Sequence, residues 1–338
     1  MLKLFQSIFG LDGGGDESQG RYPEALIEMA IERAVDGTDP RLRALSGYRK
    51  RLRAPVIHAA DHVIAMVDGM LAPLSASSAN FSSDARLAAL FASAEHMREV
   101  FASDSVLGKF RDQHPGDEKV TALLVAERVE KNVLGMELDG ELLKREVAQV
   151  AVNFRNQRLV DPDVSEAEMR RQLKRRAFDH LLSLALLRIT EVKGERVDLN
   201  RQRDLLRRKL SALQHGGWGF DDAGGDRPDP AALQTELDDI EGQLAGLGVD
   251  DRVLSAHLNI VVELLMDAER QLWAEDIVLH LDRMNIQRDA QDSSAREIRF
   301  RELRNARGRH LVALLVVVDP SELPRRVDMI TAAERYLV

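Results

Sequence analysis

Apolar residues recur at alternating intervals of three and four along two long stretches in the second half of the chain. This spacing puts an aliphatic stripe on one face of a helix and is typical of coiled coils. The stretch between them, 214–230, is rich in glycine and proline, which favours a loop. We therefore predict a long antiparallel, coiled-coil-like helical hairpin over 164–289. Its stripe positions are Phe178, Leu182, Ala185, Ile189, Val192, Arg196, Leu199, Arg203, Leu206, Leu210 and Leu213 in the first arm and Leu233, Leu237, Ile240, Leu244, Leu247, Asp251, Leu254, Leu258, Val261, Leu265 and Ala268 in the second.

The two arms are complementary in charge as well as in pattern. The first arm is net basic, and the loop with the start of the second arm is net acidic, so their fields favour association. An antiparallel register also places Arg196 opposite Asp251, and one ionic layer in an apolar seam can fix the register. Gly194 and Gly246–Gly248 are poor helix formers and leave open a hairpin that is kinked or broken there. The predicted layers pair Leu210 with Leu237, Leu206 with Ile240, Arg203 with Leu244, and Leu199 with Leu247.

A different pattern of apolar and polar residues on either side of this hairpin predicts strands. Valine-rich segments between 119 and 160 are spaced by polar residues, and Asp139–Gly140 is a strong hairpin-turn signal. Glu297–Leu303 and His310–Val318 form a second strand-like pair around Gly308. We predict that the two hairpins join in one small antiparallel sheet, although they are distant in sequence.

The predicted fold class is α+β and mainly α: a helical body, the small sheet and the long helical hairpin. After Pro320 we predict a last helix. The predicted parts are an amphipathic peptide with a flexible linker over 1–20, a helical region over 21–116, the sheet with the C-terminal helix over 117–163 and 290–338, and the helical hairpin over 164–289 with its glycine-rich tip at 214–230.

Composition narrows the function classes. The chain of 338 residues has no cysteine, which excludes disulfides, thiolate metal sites and cysteine nucleophiles. Its net charge of −9 argues against a nucleic-acid partner, because phosphate neutralisation supplies most non-specific affinity. The longest strongly apolar run, Leu311–Val318, is far shorter than the ~20 residues of a membrane-spanning helix. We expect a cytoplasmic protein, with contact at the inner face of a membrane as the alternative.

The first residues form a short apolar peptide tethered by a glycine-rich, acidic linker. Leu2, Phe5, Ile8 and Phe9 fall at helical spacing, so residues 1–11 suit a membrane interface or a groove on a partner. The alternative is that the peptide folds back onto its own protein or oligomer. The segment lacks the length and the cleavage site of a secretory signal.

Two aromatic residues lie in the predicted loop between the arms. Exposure of Trp218 and Phe220 at the end of a projecting hairpin would be costly unless another surface covers them. Aromatic residues are favoured anchors at interfaces, so both are candidate partner contacts. A loop packed on itself is the alternative.

The best candidate metal ligands are His58 and His62. They are four residues apart and therefore share one face of a predicted helix, with Asp61 beside them. A zinc site needs a third protein ligand, and the spacing shows none. Two packed or exposed histidines explain the pattern equally well.

A third candidate contact is basic. Arg299 and Arg301 share the strand face opposite Ile298 and Phe300, so they are candidates for binding an anionic partner. A solvated face with internal ion pairs is the alternative, because Glu297 is interleaved with them.

The function predicted from these patterns is that of a non-enzymatic interaction or scaffold protein. It would use the N-terminal peptide and the hairpin tip as contact sites, with a protein partner or a second copy of itself, and it would need no cofactor. The phosphate-binding, hydrolase-elbow and dinucleotide-binding motifs are absent from the sequence. The alternative is a metal-dependent hydrolase at His58, Asp61 and His62.

Overall fold

A computed structural model describes residues 22–116, 118–139, 142–214, 230–247 and 250–324. Several predicted features lie outside these residues. They are the N-terminal peptide with Leu2, Phe5, Ile8 and Phe9, the loop with Trp218 and Phe220, the glycine of the Asp139–Gly140 turn, and the stretch after 324 in which the C-terminal helix was predicted.

The described residues form an α+β structure in which helices predominate. The helices are α1 (Glu24–Asp36), α2 (Tyr48–Asp68), α3 (Ser78–Phe81), α4 (Ala85–Leu90), α5 (Ala94–Ser103), α6 (Ser105–Gln113), α7 (Glu166–Gln214), α8 (Pro230–Leu247), α9 (Asp250–Met266) and α10 (Ala268–Gln271), with short 3₁₀ turns at Pro40–Ala44 and Pro320–Glu322. The strands are β1 (Leu74–Ser75), β2 (Val120–Asp139), β3 (Leu142–Asp163), β4 (Leu272–Leu281), β5 (Arg296–Asn305) and β6 (His310–Val318).

The chain divides into two compact units, each built from segments that are distant in sequence. One unit contains Met1–Asp61 and Phe178–Ala268, and the other contains His62–Ala177 and Glu269–Val338. The divisions fall inside α2, α7 and α10. The helical region predicted over 21–116 is therefore shared between the units.

The second unit contains the sheet, whose strand order is β3-β2-β6-β5-β4. Both predicted hairpins are present, because β2 pairs antiparallel with β3 and β5 pairs antiparallel with β6. Strand β2 also pairs with β6 from Val120 to Ala126, which joins the hairpins as predicted. Gly308, with φ of +74°, lies in the β5–β6 turn and uses a backbone conformation that suits glycine. The two-residue β1 adds to β6 in parallel.

The prediction of a helical hairpin over 164–289 was wrong at its end. Residues Leu272–Leu281 form β4, which pairs with β5 along its whole length. The three–four rhythm ends at Ala268, and from Ile277 the apolar residues alternate, with Leu279 and Leu281 buried. The alternating pattern of a strand covers only a few residues here, so the sequence does not distinguish it from the helical pattern that precedes it.

Helices cover both faces of the sheet. One face packs on α4, α5 and α6 through Leu87, Phe101 and Leu107. The other packs on the end of α2 and the start of α7 through Met66 and Met169. Burial on both faces explains why β6 is apolar at nearly every position, whereas a half-exposed antiparallel strand would alternate.

The sheet is larger than predicted, because β2 and β3 have 20 and 22 residues. Past Ala126, β2 pairs with β3 but no longer with β6, so the two strands continue as a ribbon from Glu127 to Asp139. At about 3.3 Å per residue the ribbon is roughly 40 Å long. Three residues of β3 with positive φ, Glu146, Asn156 and Asp161, fall at the register shifts and mark β-bulges.

In the first unit α7 runs through Gly194 without a break. Leu206 and Leu210 of α7 are buried in one apolar cluster with Leu237 and Ile240 of α8. In the second arm α8 ends at Leu247 and α9 begins at Asp250, and the intervening residues 248–249 lie outside the described part. None of the helices in the described residues is long and apolar enough to cross a membrane.

Candidate functional site

The candidate metal ligands lie on α2. Nε2 of His62 is 2.6 Å from the carbonyl oxygen of Leu272, a hydrogen bond that engages this nitrogen. Asp61 accepts a hydrogen bond from the Tyr22 hydroxyl. Within the described ranges, no group of three or more histidine, aspartate or glutamate side chains could hold a metal ion. The site at His58 and His62 stays a prediction, without a third ligand to complete it.

The candidate anion-binding residues already have carboxylate partners. Ile298 and Phe300 are buried on one face of β5, so Arg299 and Arg301 point to the other face. Arg299 pairs with Glu297 at 2.7 Å, and Arg301 pairs with Asp276 at 3.0 Å. An anionic partner would have to compete with these carboxylates. Binding of an anion here stays a prediction.

Asp39 and His257 form a buried titratable pair in the first unit. Nδ1 of His257 lies 2.9 Å from Oδ2 of Asp39, and the two side chains are 1% and 4% exposed. The Arg41 guanidinium donates to both carboxylate oxygens of Asp39, at 3.0 and 2.7 Å, and the Lys193 ammonium lies 3.5 Å away. Arg41, with His257 as a further donor, holds the pKa of Asp39 well below its usual range. Burial lowers the pKa of His257.

An aspartate that orients a histidine is also part of many catalytic sites, where the second ring nitrogen faces the reacting group. Here Nε2 of His257 is buried and has no hydrogen-bond partner. A substrate could not reach it without opening the packing around α9. The pair therefore acts as a structural clasp between α9 and the turn that Asp39 caps. No local pattern in the sequence marks this pair, because 218 residues separate the two side chains.

A second buried carboxylate lies in the sheet. Glu302 of β5 is fully buried and accepts from Nε of Arg128 at 3.0 Å and from Nε of Arg304 at 2.8 Å. Burial works to raise the pKa of Glu302, but the two arginines outweigh it and the pKa is lowered. Each guanidinium also pairs with a second carboxylate, that of Glu130 for Arg128 and that of Glu275 for Arg304. The cluster joins β2 to β5 and presents no free acid or base for catalysis.

The ribbon carries the most prominent exposed apolar residues of the sheet. Leu134 and Met136 are 74% and 62% exposed. They continue the strand face that is buried closer to the body, where Val152 is 1% exposed. Between them, β3 continues this face with Val150 and Ala148, whereas β2 contributes the polar residues Glu130 and Asn132. Exposed apolar surface of this kind often marks an interaction site.

The ribbon is reinforced by a side chain that crosses it. Gln149 of β3 donates from Nε2 to the carbonyl oxygen of Met136 at 3.2 Å. Its amide lies over Gly135, where a Cβ atom would come within 2.0 Å of Oε1 of Gln149. The glycine is therefore needed for this close approach. A two-stranded ribbon is marginally stable alone, and this link adds one cross-strand contact.

An open cavity of about 470 Å³ lies beside the ribbon, between β3 and the loop that follows β4. We call it the wedge. On the strand side it is lined by Ala148, Gln149 and Val150, and on the loop side by Gln287, Arg288, Asp289 and Asp292. Sequence reasoning missed both the wedge and the ribbon face, because their residues are unremarkable polar and aliphatic positions until the strands are paired.

The fold and these sites define a mainly helical α+β protein with a helix-covered antiparallel sheet and a projecting β-ribbon. No protein-family model, curated protein or solved structure matches the chain. Function must therefore be argued from the sites themselves.

Proposed function

We propose that this protein is a non-enzymatic interaction or scaffold protein whose contacts include the β-ribbon. The observation that carries the proposal is the exposure of Leu134 and Met136 on a ribbon that continues beyond the rest of the sheet. A projecting strand pair offers both apolar side chains and main-chain edges, which are the two elements of β-strand addition. The buried titratable pairs of the described residues are internal to each unit and offer no catalytic group that would favour an enzyme instead.

The proposal includes two contacts outside the described residues: the apolar peptide over 1–11 and the hairpin tip with Trp218 and Phe220. The peptide would search for its target on the flexible linker and raise the local concentration of the protein there. The target would be a protein partner in the cytoplasm, a second copy of the chain, or the inner, cytoplasmic face of a membrane.

A coiled-coil-like hairpin of α7 and α8 would set the distance between these contacts. Its support is the apolar cluster of Leu206, Leu210, Leu237 and Ile240, all of which are stripe positions in the sequence pattern. Arg207 of α7 also pairs with Glu241 of α8 at 2.5 Å. This exposed ion pair is worth under ~1 kcal/mol and mainly favours the register.

The experiment is a capture from native lysate, with the soluble and membrane fractions kept separate. Full-length protein is compared with a chain lacking residues 1–11, with Trp218→Ala and with Leu134→Lys/Met136→Lys. Val197→Lys is the control. Val197 is 56% exposed on α7, so this substitution also replaces an exposed apolar side chain by lysine, but away from the ribbon. We expect specific partners to be lost from the ribbon or peptide variant and retained by the control. Identical captures from every variant would refute the proposed contact sites.

The alternative is a metal-dependent hydrolase at His58, Asp61 and His62. Metal analysis of the purified protein is its direct test. Zinc, iron or manganese bound in a one-to-one ratio and lost in His58→Ala would favour it over the scaffold.

A further inference from the structure

The wedge has a feature that an ordinary surface depression lacks: one wall is the free edge of a strand. Strand β3 is at the end of the sheet order. The loop after β4 pairs with this edge over a short distance, because the backbone nitrogen of Val152 donates to Asn285 at 2.9 Å and that of Gln287 donates to Val150 at 2.8 Å. The edge of β3 therefore already accepts a pairing segment.

The loop then leaves the strand and opens the wedge. The backbone nitrogen of Arg288 turns toward β4 and donates to the carbonyl oxygen of His280 at 2.9 Å. In an antiparallel ladder, alternate residues direct their main-chain groups to the same side. Since Val150 and Val152 direct theirs toward the loop, Ala148 directs its N–H and C=O groups into the space that the loop has left. An extended peptide can continue the ladder there.

The other wall of the wedge is acidic. Asp289 and Asp292 line it, and within the described part of the chain neither has a lysine or arginine at ion-pair distance. Arg288, the basic residue of the lining, pairs with Asp282 at 2.9 Å. Asp292 accepts hydrogen bonds from Ser294, which hold its carboxylate in place. The wedge thus joins a main-chain template to two carboxylates and lies beside the exposed apolar face of the ribbon.

We infer that the wedge binds an extended segment of a partner protein that carries a lysine or arginine. The main chain of this segment would pair with β3 at Ala148, directly beyond the part of the edge that the loop occupies, and its basic side chain would lie between Asp289 and Asp292. This inference rests on the proposed function and names the chemistry of the partner.

The probe is a short fluorescein-labelled peptide that alternates threonine and valine around one central lysine, and binding is measured by fluorescence polarisation with the full chain. Two matched peptides separate the contributions: one has glutamate in place of lysine, and one has N-methyl groups on alternate amides of the pairing edge. We expect saturable binding of the lysine peptide, at least fivefold weaker binding of the glutamate peptide, and loss of binding by the N-methyl peptide. The preference should decrease as salt is raised.

The protein variant is Asp289→Asn/Asp292→Asn, which keeps the shape of the lining and removes its charge. We expect it to abolish the preference for lysine over glutamate. The control, Glu95→Gln/Glu118→Gln, removes the same charge from residues that do not line the wedge and should leave the preference unchanged. Circular dichroism of each variant verifies that the fold is intact.

Three results of the peptide assay would overturn the inference: no saturable binding of the lysine peptide, equal binding of the N-methyl peptide, or an unchanged lysine preference in the asparagine variant. Dimerisation of the chain by light scattering that depends on Asp289 and Asp292 would also overturn it, because a second copy would then occupy the wedge. If ribbon-dependent capture from lysate persists while the peptide fails, the proposed function stands and the wedge assignment alone falls.

Discussion

Replacement of Asp39 by asparagine tests whether the clasp with His257 holds the first unit together. The substitution preserves size but removes the charge that Arg41, Lys193 and His257 share. Loss of one partner from a buried ion pair typically destabilises by about 3–5 kcal/mol. The Arg41 and Lys193 side chains are 60% and 44% exposed, so both can be hydrated once Asp39 is neutral. We therefore expect a lower cost, about 2 kcal/mol.

The matched control is Asp36→Asn. Asp36 pairs with Arg43 at 2.6 Å, but its side chain is 63% exposed. Exposed pairs contribute under ~1 kcal/mol, so this variant should resemble the wild type. The two substitutions make the same chemical change in the same unit and differ in burial.

The assay is urea unfolding at pH 7 followed by circular dichroism, with hydrogen exchange of peptides that cover 40–44 and 250–266. We expect Asp39→Asn to lower the unfolding midpoint and to increase exchange in both peptides, because the clasp joins them. Asp36→Asn should do neither. Equal stability and equal exchange in the two variants would refute the assignment of Asp39 and His257 as a structural clasp.

Three further outcomes are expected. Because burial lowers the pKa of His257, the unfolded chain takes up a proton that the folded chain does not, and stability should fall as the pH decreases below about 6.5. Urea midpoints measured between pH 7 and 5 should show this decrease in the wild type and lack it in His257→Gln. Glu302→Gln leaves two arginines without their buried carboxylate and should cost about 3 kcal/mol in urea unfolding, whereas Glu130→Gln, at a half-exposed position, should cost under ~1 kcal/mol. Leu206→Ala removes a side chain that is 5% exposed and should lower the free energy of unfolding by about 2–4 kcal/mol, measured by thermal or urea unfolding. Leu205→Ala, at a position that is 53% exposed, should change it little, and equal effects would contradict the packing of α7 on α8.

The sequence predicted those parts of the fold in which one short-range rule governs many successive residues. A three–four repeat puts Leu206, Leu210, Leu237 and Ile240 on the apolar stripes of two helices, and all four are buried in one cluster, while the coiled-coil register itself stays a prediction. The apolar run in β6 likewise indicated a strand, and its two covered faces explain the run.

The sequence did not predict features that depend on what lies beside a segment. Leu272–Leu281 follows directly on a helical arm, and its strand character depends on ten pairs with β5. The clasp joins Asp39 to a histidine in another helix, and no local pattern marks either partner. The valine-rich segments predicted on either side of 127–132 belong to one strand, β2, because pairing with β3 continues through the mostly polar residues between them.

The same dependence on context explains why the wedge is the strongest candidate for recognition. Local sequence on β3 specifies only a strand, and Asn285, with φ of +58°, allows the loop to approach that strand and then turn away. If the loop had continued along β3, Ala148 would be paired and the two carboxylates would face solvent. Its departure leaves a main-chain edge and two acidic side chains facing one another, a combination that suits a basic extended peptide better than a small molecule or a metal ion.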